Sequence, residues 1–287
     1  VTDMNDAEAL KKLQETELDI LLAIDAFCKE RGIEWFMDSG TALGAMRHGG
    51  FIPWDDDIDI GMMRADYDRF IEEAQDGLPS GYSLQTFENN ETFAGLFAKV
   101  YKEGTAFHTK ETIEAGCDQG IFVDIFPYDV LAADEGQRAR QLKTARTWQS
   151  VSYLYHAKTI TVPHKGFMGS VERFGCRIAH YLVCAFTNRA EIERRFDASQ
   201  SFEGAASDEV MLLSWPSMKP CRVQDMVPPA RVSFCGHDLP IAAKPELYLE
   251  NMYGDWRTIP APEDRRTHLP EFIDFGDGTV WRAGGAA

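Results

Sequence analysis

Long apolar runs are missing from this chain: no stretch approaches the ~20 consecutive apolar residues that a membrane-spanning helix needs. Basic charge is scarce too, with 29 Lys and Arg against 46 Asp and Glu and a net charge of −17. A general nucleic-acid binder presents a basic footprint, so no nucleic-acid partner is expected. The six cysteines (Cys28, Cys117, Cys176, Cys184, Cys221 and Cys235) form no Cys-x-x-Cys pair. Scattered in this way, they read as reduced, mostly buried thiols, without the spacing of a disulfide framework or a zinc site. Internal repeats and low-complexity segments are absent. The first residues, Val1 to Glu8, are polar and acidic, unlike a signal peptide, and a cytoplasmic location is the expectation. The shortage of basic residues is uneven: between Arg138 and Arg195 there are 11 Lys and Arg against 3 Asp and Glu.

What is present is a stretch from Asp38 to Met63 that opens on Gly40-Thr41, carries Arg47 and His48, and ends with Asp55, Asp56, Asp57 and Asp59. Ile58 and Ile60 interleave with the last two acids. In a strand, alternate side chains share a face, so Asp57 and Asp59 point one way and the isoleucines point into a core. Two carboxylates on one face repel unless a cation sits between them. Oxygen ligands of this type suit Mg²⁺ or Mn²⁺.

The chain, 287 residues with 44% hydrophobic content, can bury a sizeable core. Leu10, Leu13, Leu18, Leu21, Ile24 and Phe27 predict a helix over 3–31, stopped by Gly32. A short strand over 33–37, a helix over 40–48, a strand over 57–62 and a helix over 64–75 follow. Strand-like segments come next at 82–87, 95–101, 106–109 and 121–126, the last expected to end at Pro127. This order gives an α+β fold with a mixed sheet flanked by helices, without the regular alternation of a Rossmann fold. Beyond Asp134 helices are expected at 133–158, 166–186 and 188–200. An ill-defined region follows, with prolines at 216, 220, 228 and 229, and then a last helix over 245–253. The expected division is a catalytic core over 1–133, a basic helical insertion on the acceptor side over 134–215, and a C-terminal segment over 216–287 packing back on the core.

Metal-assisted phosphoryl transfer needs carboxylates for the ion, donors for the phosphate oxygens and a base for the attacking hydroxyl. Asp57 and Asp59 supply the first. Asp124, mid-strand between Val123 and Ile125, is the expected third carboxylate, as metal ligand, general base or both. Asp55 and Asp56 are open between a solvated acidic turn and a supporting metal role. Gly40 and Thr41 place backbone N–H groups at a helix start, a natural anion site. Arg47, Lys99 and Lys102 are candidate phosphate ligands, with His48 and His268 as candidate aids to proton transfer.

The blocks Gly40–His48 and Gly50–Asp59, with Phe122–Pro127 and Asp129, and Tyr248–Asp255 leading to Arg266 and His268, resemble the LicD family. These are bacterial phosphocholine transferases related to the fukutin group. The resemblance implies a nucleotidyltransferase-like fold with metal on Asp57 and Asp59. The implied reaction moves phosphocholine, or a similar phospho-substituent, from a CDP-activated donor such as CDP-choline to a sugar hydroxyl, with CMP leaving. The implied acceptor is a cell-surface glycan or its lipid-linked precursor. The cysteines do not reproduce the metal-binding cluster of some fukutin relatives, so no zinc is carried over.

A quaternary ammonium donor would meet aromatic faces, for which Trp35, Trp54, Tyr101, Tyr128, Tyr253 and Trp256 are candidates. Over 166–186, Phe167, Met168, Val171, Phe174, Ile178, Leu182 and Phe186 accompany Arg173 and Arg177. The expectation is an ordinary helix packed on the domain; the alternative is peripheral contact with an anionic membrane surface. Two other functions compete with the main reading. One is a nucleotidyltransferase moving a nucleoside monophosphate from an NTP to a protein or small molecule. The other is a non-catalytic glycan- or nucleotide-binding module.

Overall fold

The computed structural model describes residues 2–157, 166–215, 218–265, 267 and 269–284. A two-residue strand, β1 (Thr2–Asp3), precedes the long helix α1 (Asp6–Arg31). Asn5 caps α1 by accepting from the Glu8 N–H, while the Glu8 carboxylate accepts in return from the Asn5 N–H; Gly32, in the left-handed region at φ 62°, ends it. Strand β2 (Phe36–Met37) leads into helix α2 (Ser39–His48), closed by Gly49 at φ 68°. Strand β3 (Asp59–Met63) runs straight into helix α3 (Arg64–Gly77). Then come β4 (Tyr82–Gln85), β5 (Ala98–Lys102), β6 (Ala106–His108), the short helix α4 (Lys110–Ala115) and the long strand β7 (Phe122–Ala132).

Helices α5 (Glu135–His156), α6 (Gly166–Phe186) and α7 (Arg189–Asp197) follow. The remainder alternates: β8 (Ala206–Leu212), β9 (Cys221–Arg222), α8 (Val223–Met226), β10 (Ala230–Phe234), β11 (His237–Ile241), α9 (Pro245–Tyr253), β12 (Phe272–Asp274) and β13 (Thr279–Arg282).

The strands form a nine-stranded mixed sheet in the order β10-β11-β2-β3-β7-β5-β4, with β8 paired to β7 and β9 to β8. A smaller four-stranded sheet has the order β1-β13-β12-β6. In the large sheet β3 runs parallel to β7 and β11 parallel to β2; the other pairs are antiparallel. This is the α+β arrangement expected from the order of elements. Leu13, Ile20, Leu21 and Ile24 of α1 pack with Ile58, Ile60, Val123 and Ile125 in one continuous core.

Three expectations about strands and the 134–215 segment need correction. Pro127 does not end its strand: β7 continues to Ala132. On one edge β7 pairs with β5 through Ile125 and then with β8 from Tyr128, so Pro127 sits where the partner changes and no ladder bond is asked of it. The strand expected over 57–62 is Asp59–Met63, with Asp57 just ahead of it. The segment 134–215 is not wholly helical, because β8 returns to the main sheet beside β7. There Leu131, Met211 and Leu213 pack with Ala145 of α5 and Phe196 of α7 in a second cluster.

Helix α6 is held differently. It packs on α5, where His180 Nδ1 lies 2.7 Å from the Leu154 carbonyl and Cys184 Sγ 3.6 Å from that of Tyr155. At 100° per residue, Val171, Phe174, Ile178, Leu182 and Phe186 lie opposite those contacts. They are exposed, Phe174 by 66% and Phe186 by 85%. The expectation that this face packs on the domain is therefore wrong. The side chains of Phe167, Met168 and Arg173 lie outside the described residues. Among the described residues no helix is long and apolar enough to cross a membrane.

Candidate active site

Strand registry builds the site. Asp59 of β3 is the register partner of Asp124 on β7, and Asp124 is that of Lys99 on β5. Register partners project from the same face of a sheet, so Lys99, Asp124 and Asp59 form a row across three strands. Lys99 is 7% exposed; its Nζ lies 2.6 Å from Asp124 Oδ1 and 3.2 Å from the centre of the Phe122 ring. Lys99 is thus paired inside the carboxylate row. Lys102 is turned to α1, where its ammonium lies 2.6 Å from Asp19 Oδ2, away from the role of phosphate ligand expected of it.

Burial and neighbouring charge act on these acids together. Burial, then Asp57 and Asp124, raise the pKa of Asp59 well above the usual carboxylate range. Burial lifts Asp124 to about 6 against the opposing pull of Lys99, with Asp57 adding to the rise. Asp55 reaches about 7 through burial and the charges of Asp57 and Asp56. Asp57 and Asp56 thus belong to the same cluster.

The start of α2 supports the row. The Thr41 hydroxyl accepts from the Asp59 N–H at 2.8 Å, tying the helix to the strand that carries the acid. A Cβ on Gly40 would come within 2.8 Å of Asp55 Oδ2, and one on Gly44 within 2.5 Å of the Gly50 carbonyl. Both positions let the acidic loop close against the helix. Asp38 at the helix start is fully buried and accepts from Tyr128 Oη at 2.7 Å and from Tyr248 Oη. Tyr248 Oη also accepts from the Ser39 N–H at 3.0 Å, so α9 closes one wall of the site.

The other expected residues are placed as follows. Arg47 Nη1 donates to the carbonyls of Trp256 at 3.3 Å and Thr258 at 3.4 Å, and its Nε faces His48 Nε2 at 3.1 Å. Its guanidinium thus anchors the segment after α9. His268 and Arg266 lie outside the described residues. Among the aromatics, Trp35 and Tyr128 are buried, while Tyr253 is exposed by 44%. Asp38, Asp59, Asp55 and Asp57 help burial to raise the Tyr253 phenol, which places its ring beside the cluster. Trp54 faces the guanidinium of Arg265, 4.6 Å away.

One member of the site was missed. Glu17 of α1 is 1% exposed, and burial followed by the charges of Asp57, Asp56, Asp55 and Asp124 raises its pKa. The signal was in the helix pattern: Glu17 falls four residues after Leu13 and four before Leu21, within the apolar stripe.

The donor set is all hard oxygen, a chemistry that fits Mg²⁺ or Mn²⁺. As arranged, no three His, Cys, Asp or Glu side chains among the described residues converge closely enough to hold an ion. An ion on these oxygens would require side-chain rotation to gather them.

A mixed sheet presenting acids from adjacent strands, with a short helix closed against the acidic loop, defines a protein of the nucleotidyltransferase-fold class. Residues 32–169 match the family model described as LicD/FKTN/FKRP, nucleotidyltransferase domain. This segment is similar to the LicD family. It is 36% identical over 121 residues to lipopolysaccharide cholinephosphotransferase LicD of Haemophilus influenzae, covering 42% of this chain and 44% of that protein. It is 37% identical over 57 residues to ribitol 5-phosphate transferase FKRP of Mus musculus and of Homo sapiens, covering 20% of this chain and 11% of each. The chain therefore spans less than half the length of these curated relatives.

Proposed function

We propose that this chain transfers phosphocholine, or a similar phospho-substituent, from a CDP-activated donor to a hydroxyl of a cell-surface glycan or its lipid-linked precursor. The acceptor oxygen bonds to the phosphorus distal to the nucleoside, the bond from that phosphorus to the bridging oxygen breaks, and CMP leaves. The names of the relatives, one a cholinephosphotransferase and one a ribitol 5-phosphate transferase, support the class of substituent. The observation that carries the reading is the Lys99–Asp124–Asp59 row, with Asp57 just ahead of β3 and its charge acting on both acids.

Asp57, Asp59 and Asp124 would hold Mg²⁺ or Mn²⁺, which when bound neutralises charge on phosphate oxygens. Asp124, poised at about 6 beside Lys99, takes the proton of the acceptor hydroxyl. Gly40 and Thr41, in the first turn of α2, offer N–H groups to the donor phosphates, and His268 belongs to the same proposed donor-binding set. Arg47 contributes indirectly, by fixing the segment after α9. The exposed ring of Tyr253 is the aromatic face best placed for a quaternary ammonium.

The apolar face of α6, flanked by exposed Arg177 and the basic run of 138–195, rests on an anionic bilayer surface. That arrangement brings a lipid-linked acceptor to the enzyme at the cytoplasmic face.

The test is to incubate the protein with a panel of CDP-alcohols and Mg²⁺, with and without EDTA, and follow nucleotide products. CMP release from one donor, abolished by EDTA, supports the reading. Pyrophosphate release from an NTP supports nucleotidyl transfer in its place. Near-normal turnover in EDTA sinks the metal assignment.

A further inference from the structure

Gln14 and Glu17 lie three residues apart on α1 and so share a face. Gln14 Nε2 donates to the Asp55 carbonyl at 2.8 Å and meets that of Ile52 at 3.5 Å, so this face of the helix grips the backbone of the acidic loop. One turn along, Glu17 is 1% exposed and its Oε2 has no hydrogen-bond partner. A buried carboxyl oxygen without a donor is costly, and native interiors rarely leave one so. The Gln14 bond to the Asp55 carbonyl sets this face of α1 against the acidic loop, and the charges of Asp57, Asp56, Asp55 and Asp124 act on the Glu17 carboxyl there. An apolar residue would fill this space in the α1 stripe without that cost. Carboxyls crowded together are relieved by sharing a proton or a divalent cation, and a cation relieves Glu17 and the aspartates of the loop at once.

We propose that Glu17 is a ligand, from α1, of the divalent cation held by Asp57, Asp59 and Asp124. This rests on the metal reading above and adds a ligand from outside the family-matched segment 32–169. Glu17 also gives α1 a functional reason to grip the loop, since the helix then carries one of the oxygens the ion gathers.

Mn²⁺ binding to the full chain, followed by the EPR signal of free Mn²⁺, tests the assignment alongside melting curves. Glu17→Gln preserves shape and removes the charge. It should weaken Mn²⁺ binding about 10-fold or more, raise the melting temperature of the metal-free protein at pH 8, and shrink the stabilisation that Mn²⁺ confers. Glu17→Met, of similar length and without oxygen, should behave alike. A Glu17→Gln protein with wild-type Mn²⁺ affinity overturns the proposal, and so does failure of both variants to fold. The metal reading fails separately, if the wild-type chain binds no Mn²⁺. Binding lost in Asp59→Asn but unchanged in Glu17→Gln leaves that reading standing and removes Glu17 from it.

Discussion

Asp59 and Asp124 face each other in register across the parallel pair of β3 and β7, each raised in pKa with the other's strand close by. A sheet brings side chains in this relationship to within contact reach. Two acids so placed are a standing repulsion in the folded protein, and the first prediction follows from what relieves it. Asp59→Asn should fold at least as stably as the wild type without metal, yet lose about 10²-fold or more in turnover. CMP release and urea melts on the same preparation measure both. An active Asp59→Asn would remove this residue from the chemistry.

Lys99 is the counter-charge to Asp124, and both side chains are largely buried. Lys99→Met leaves Asp124 without it, which costs about 3 kcal/mol when a buried pair is broken from one side. The loss should be larger at pH 8 than at pH 5, because at the lower pH Asp124 escapes by taking a proton. Denaturant melts at the two pH values check this. Equal losses would show that the ion pair does not set the stability.

Asp55 titrates at about 7 in the fold, above its ordinary range. A carboxyl whose folded pKa is raised favours the folded state below its unfolded pKa, and that contribution is lost as pH climbs through the folded value. Between pH 5 and pH 8, in EDTA, the wild type should therefore lose stability relative to Asp55→Asn. Parallel pH dependences of the two proteins would contradict it. Adding Mg²⁺ should restore the wild type at pH 8 and do little at pH 5.

Phe174 and Phe186 stand on the open face of α6. Replacing both by Ser should leave the melting temperature nearly unchanged, since neither is buried. It should lower partition onto phosphatidylserine vesicles about 10-fold or more. Sedimentation with vesicles measures it, and raised salt should weaken binding of the wild type. Binding by the double variant at wild-type level would free α6 from the membrane.

The acid-bearing strands were legible because their signal is local: apolar neighbours around Asp59 and Asp124 dictate which way each side chain turns. The helices α1, α2, α3, α6 and α9 were legible for the same reason, each carrying its own periodicity and stop. What escaped depends on distant partners. Pro127 looked like a terminus because the exchange of β5 for β8 beside it is a tertiary event. β8 and β11 are placed by β7 and β2, strands from earlier parts of the chain. Lys99 showed as a candidate phosphate ligand, but its pairing with Asp124 rests on a register that the two segments do not encode separately. The helix α6 misled in the opposite sense, since an amphipathic pattern states that a face is apolar and not what covers it.

The strand β2 is only two residues long and lies between β3 and β11, the latter contributed from far along the chain at Ile241. Asp38, next to it, takes one of its hydrogen bonds from Tyr248, later still. While the polypeptide is being translated, β2 therefore waits with one edge bare and Asp38 lacks that phenol. The acids of the loop are made early, but their setting is finished only when the last third has left the ribosome. A prematurely terminated product would carry every proposed metal ligand and still lack the wall that holds Asp38 beside them.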